Sequence, residues 1–183
     1  MVKHLVVLAF LLVPSAAFAA EEITPIMKLE AKTEEMLKGL DKNKTTQFSA
    51  IRNSHGTVRA VENVQSSIAR AVKACGKANP DMKGDMDAQF ESWKEALRPV
   101  MKDARAKLDK MIYLQGFARP SDVRAYLRQF DDAVEWRDAH VRAEPISSKD
   151  ECEKLTKKMS KTQDDLIDLL KENLALDQQV KQE

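Results

Sequence analysis

The stretch ISSKDECEKL, residues 146–155, carries a helix start and one of the two cysteines in the chain. Ser148 precedes Glu151 by three positions, the spacing of a capping box in which each residue's side chain satisfies an orphan backbone N–H of the other. Cys152 therefore falls in the first turn of the helix that follows. From there Leu155, Met159, Thr162, Leu166, Leu169, Asn173 and Leu176 recur at alternating intervals of three and four, a heptad stripe of coiled-coil type. The other cysteine, Cys75, ends a different periodic segment, so the fold turns on where the chain brings the two thiols.

The composition, with Gly 5 and Pro 6 among 183 residues, reads as helix throughout. From about Thr46 to Ala78 one face carries Phe48, Ile51, His55, Val58, Val61, Val64, Ile68, Val72 and Cys75. Asn79-Pro80-Asp81 is both a turn and a helix start, with Pro placed where its missing N–H costs nothing. A second stripe follows through Met82, Met86, Phe90, Trp93, Leu97, Met101, Leu108 and Met111, closing at Gly116. Pro99 interrupts it, and an interior Pro costs about 3 kcal/mol, which predicts a kink or a break. A third segment from Ser121 to about Ala143 turns Val123, Leu127, Phe130, Val134 and Val141 inward and stops at Glu144-Pro145. A short leader near Thr24 to Leu40 carries Ile26, Leu29, Met36 and Leu40. No run alternates with period two long enough to make a strand.

The expected fold is all-α: an antiparallel up-down-up-down four-helix bundle with a short N-terminal leader helix. Short connections make successive helices antiparallel. Cys75 then lies at the upper end of the first long helix, and Cys152 at the upper start of the fourth, its neighbour. A Cys75–Cys152 disulfide follows, closing a loop of 76 intervening residues and worth roughly 4 kcal/mol in the chain-entropy model. One mismatch stands against a regular bundle: the second long segment exceeds the third by about a dozen residues, roughly 18 Å of helix.

The N-terminus supports the oxidising setting that such a bridge needs. Lys3, the apolar run from Leu5 and the Ala17-Phe18-Ala19 pattern together read as a secretory signal peptide over residues 1–19, cut after Ala19. The apolar run through Ala20 is 16 residues, short of the ~20 that cross a bilayer. Loss of 19 residues from 183 leaves 164, residues 20–183, which we read as one helical-bundle domain with no membrane span. The expected location is exported: periplasmic in a Gram-negative host, otherwise secreted. The 30 basic and 29 acidic residues become balanced once Lys3 is gone. A neutral chain poor in aromatics lacks both the backbone neutralisation and the base stacking that nucleic acid requires.

Catalytic motifs are missing: the chain has no phosphate-cradling glycine loop, no GxSxG, no CxxC and no HExxH. The expected function is a non-catalytic helical interaction or ligand-binding module without a cofactor, its partner a protein or a small ligand. An alternative is a b-type haem electron carrier, because His55 and Met101 fall at one level of adjacent helices in an antiparallel model and have the ligand types such a site uses. His140 and Glu144, four apart, form half of a surface metal site with Asp138 close by, although His140 equally faces the negative end of its helix. Lys154, Lys157, Lys158 and Lys161 crowd one half of the last helix, either as a solvated face or as a patch for an acidic partner.

Overall fold

The computed structural model describes residues 23–141 and 146–179, with side chains as far as Asn173. The signal-peptide residues, Glu144 and the side chain of Leu176 lie outside the described residues. Among the described residues every regular element is helical, in the order α1 (Pro25–Leu37), α2 (Lys42–Ala78), α3 (Lys83–Leu114), α4 (Pro120–Ala139) and α5 (Lys149–Gln179). None of these helices is long and apolar enough to cross a membrane.

The helix starts follow local chemistry. Thr24 Oγ1 accepts the Met27 N–H at 3.3 Å, with Pro25 in the first turn, so the leader begins where its cap stands. The α1–α2 link turns at Gly39, whose φ of 78° suits a residue without Cβ. Asp41 Oδ1 then accepts the Lys44 N–H at 2.8 Å and starts α2 at Lys42, ahead of the start near Thr46 that the apolar spacing suggests. At the far end of α2, Pro80–Met82 form one 3₁₀ turn before α3 begins. The capping box at α5 is present: Glu151 N–H donates to Ser148 Oγ, and Ser148 N–H to Glu151 Oε2, each at 3.3 Å.

Two cores are stacked along the antiparallel α2–α3 hairpin. The upper one combines Val61, Ile68 and Val72 of α2 with Met86, Trp93 and Leu97 of α3 and Met159, Leu166 and Leu170 of α5. It ends at the Cys75–Cys152 disulfide, with S–S 2.01 Å, Cα–Cα 5.8 Å and both residues 0 % exposed. The lower core joins Phe48 and Ile51 of α2 and Leu108 and Ile112 of α3 to Val123, Tyr126 and Leu127 of α4. There the Phe48 and Tyr126 rings lie 5.0 Å apart. The leader α1 packs on α4 and half-buries Leu29, Met36 and Leu37, with no residue fully buried.

α2 and α4 run one way, α3 and α5 the other. The helices nevertheless do not occupy the corners of a square. α5 packs against both α2 and α3, whereas α4 packs chiefly on α1 and lies on the flank of α2 away from α5. The reason is where apolar surface runs out. The inward residues of α4 end near Val134; above them come Glu135, Asp138 and Val141, the last 63 % exposed rather than inward as its spacing suggests. α4 contributes no residue to the upper core, and the long stripe of α5 fills that place. This arrangement also absorbs the length mismatch between the second and third segments.

Three further details depart from the sequence pattern. α3 continues unbroken through Pro99, which is exposed, so the carbonyl it leaves unpaired one turn earlier faces water. Leu170 is buried at 1 % exposure, while Leu169 is 43 % exposed. Ser54, and not His55, faces the core. Both shifts come from α5 settling in the α2–α3 groove, which favours positions 54 and 170 over their neighbours at equally helical spacing.

Candidate functional site

His55 and Met101 have separate surroundings. Met101 is 5 % exposed within the upper core. His55 turns toward α4, where its Nε2 lies 2.8 Å from Asp131 Oδ1 and its ring meets the Phe130 ring edge-on at 5.4 Å. It begins a polar ladder between two parallel helices. Arg59 reaches Asp131 at 2.9 Å and Glu135 at 3.4 Å, and Asn63 Nδ2 donates to Asp138 Oδ2 at 2.9 Å. The Arg59 Nε contact with Asp131 is an ion pair at a bent angle, without a straight hydrogen bond. Spacings of four on α2 thus meet spacings of three and four on α4, which holds α4 in place where apolar contact is thin.

The ladder continues into α3. Glu62 accepts from Arg59 at 2.9 Å and from Arg105 at 2.7 Å. Burial works to raise the Glu62 pKa, but the hydrogen bonds and charges of Arg105 and Arg59 more than offset it and hold the carboxyl below its ordinary value.

His140 is exposed; its Nδ1 lies 2.7 Å from the Trp136 carbonyl and its ring is 4.1 Å from the Trp136 ring. Its expected partner Glu144 is outside the described residues, and among those described no group of three or more His, Cys, Asp or Glu side chains is arranged to hold a metal ion. Lys154 pairs with Asp150 at 2.6 Å, and the other three lysines of the α5 cluster are exposed.

A feature that the sequence did not single out lies where α1, α2 and α4 meet above the lower core. It is an open cleft of about 460 Å³. Leu29 and Ile26 of α1 and Phe130, Ala133 and Val134 of α4 supply its apolar lining. Glu30 and Glu34 stand on its α1 wall, Arg52 on its α2 wall and Arg137 on α4. Arg137 is held by Asp138 at 2.9 Å. The polar ladder positions the floor, since His55 packs against Phe130 while bonding the adjacent Asp131. Thr33 fastens the α1 wall: its Oγ1 is 3.2 Å from the Tyr126 hydroxyl and donates to the Leu29 carbonyl at 2.7 Å. The parts of the cleft lie on three helices as single half-buried or charged residues, and the only trace in sequence is the apolar spacing of Ile26, Leu29, Phe130 and Val134.

Comparison of the chain with protein-family models, with curated proteins and with solved structures yields no match.

Proposed function

We propose that this chain is an exported, non-catalytic helical module that binds a small amphipathic ligand in the cleft between α1, α2 and α4. One observation carries the reading: an apolar recess of about 460 Å³ whose rim holds charges of both signs. That volume lies in the ~300–1,000 Å³ range of small-molecule sites, and an apolar lining with a few placed polar groups is their usual chemistry. Export is supported by the N-terminal signal pattern and by a disulfide, which persists in oxidising compartments.

The test uses the oxidised mature chain and 1-anilinonaphthalene-8-sulfonate, a probe that brightens in apolar sites. Its fluorescence should saturate as a single site, and Val134→Trp, which fills the floor, should abolish that signal while circular dichroism stays helical. A signal that never saturates, or one that survives the tryptophan, removes the reading.

A further inference from the structure

Glu30 and Glu34 stand one helical turn apart on the same wall of the cleft, both exposed. Among the described residues neither side chain has a hydrogen bond or an ion pair. Lys32, the basic residue between them, is turned away and pairs with Glu35 at 2.7 Å. Like charges four apart on a helix repel by ~0.2–0.5 kcal/mol, so a cation seated between these carboxylates converts a repulsion into two attractions. Arg52 projects from α2 into the same cleft, exposed and, among the described residues, without an ion pair, in contrast to Arg137 and its Asp138 partner. Its guanidinium offers the planar fork that matches a carboxylate. The apolar surface of Leu29, Phe130 and Val134 lines the recess these charges border.

Resting on the binding reading above, we propose that the ligand is a free apolar amino acid bound as its zwitterion. Its ammonium is taken by Glu30 and Glu34, its carboxylate by Arg52, and its side chain lies on Phe130 and Val134. An anion with an apolar body leaves the carboxylate pair unrelieved, and a cation with an apolar body leaves Arg52 unused. Only a molecule that carries both charges beside an apolar group answers the whole set.

Three probes with one hydrocarbon body separate these cases: L-leucine, 4-methylpentanoate, which lacks the ammonium, and 3-methylbutylamine, which lacks the carboxylate. Each is titrated against the anilinonaphthalene sulfonate complex of the oxidised mature chain. Leucine should displace the dye at least about tenfold more tightly than either relative, the scale of one lost charge-assisted hydrogen bond. Arg52→Gln should bring leucine down to the level of the amine, and Glu30→Gln with Glu34→Gln down to that of the acid. All three substitutions are at exposed positions, so folding is preserved. Equal displacement by the three probes, a preference for a singly charged one, or no displacement of a saturably bound dye overturns the zwitterion proposal and leaves the binding reading in place. A dye that fails to saturate removes both.

Discussion

Ser54 on α2 donates a hydrogen bond to Asn173 Oδ1 on α5 at 3.0 Å, and each residue lies twenty-one positions from the cysteine of its own helix. Twenty-one residues are three heptads, so the cystine and this polar pair mark two rungs of one antiparallel register. Asn173 also donates to Thr57 Oγ1 at 2.7 Å. A polar pair in an apolar seam fixes register because any slip leaves both groups buried without partners. Asn173→Leu should therefore cost about 1–3 kcal/mol by stranding the Ser54 hydroxyl. Adding Ser54→Ala should recover most of that loss in urea denaturation, and a double variant as unstable as the single would show that the pair does not act together.

The disulfide closes a loop spanning 77 positions. In the chain-entropy model its removal costs about 4 kcal/mol, equivalent to about 8–16 °C in Tm for a chain of this size. Cys75→Ser with Cys152→Ser should show that drop and remain helical, because the upper core is otherwise unchanged. Alkylation of the denatured, non-reduced protein should label neither cysteine; labelling of both would contradict the pairing.

Two glycines within α2 make opposite predictions. Glycine inside a helix costs roughly 0.5–1 kcal/mol relative to alanine. A Cβ at Gly56 would meet only Phe130 Cζ at 3.5 Å, an ordinary contact, so Gly56→Ala should gain about that amount. At Gly76 the same atom would lie 3.0 Å from Lys83 Cγ and 3.3 Å from Lys83 Cβ, the inflexible base of that side chain. Gly76→Ala should gain nothing or destabilise. Thermal melts of the two variants decide it, and equal gains would mean that the α2–α3 corner has room to spare.

The depressed Glu62 carboxyl sets an acid limit. A group whose folded pKa lies below its unfolded value, here near 4.5, contributes stability that is complete above 4.5 and lost as pH falls through the folded value. Unfolding free energy should decline on acidification below about pH 4.5. Glu62→Gln, already without that charge, should lose less than the parent between about pH 6 and about pH 3. Parallel declines in parent and variant would assign the acid sensitivity to other carboxylates.

The sequence revealed what depends on neighbours along the chain and missed what depends on neighbours in space. Ser148 and Glu151 announce the start of α5 by their spacing, and the two cysteines are placed by helix direction alone. The position of α4 was hidden, because Val123, Leu127, Phe130 and Val134 show that the helix has an apolar face but not which groove receives it. His55 shares the apolar spacing of Ile51 and Val58, and Arg59 and Asn63 look like solvated surface, so the polar row they form is hidden until Asp131, Glu135 and Asp138 come alongside. Leu169 and Leu170 are equally good on helical period, and only the seat of α5 against α3 selects between them. The cleft was invisible for the same reason: Arg52, Glu30 and Glu34 look like surface charges on separate helices.

The cystine makes a covalent ring of the chain between Cys75 and Cys152, with α3 and α4 inside it and α1 with nearly all of α2 hanging from it as a tail. A peptide bond broken anywhere in that ring leaves one covalent molecule until thiols are added, whereas a break in residues 38–41 leaves α1 held only by its packing on α4. The cleft takes one wall from the ring and another from that tail. A protease that clipped the short link would thus leave one side of the cleft without a covalent tether while every sulfur stayed in place.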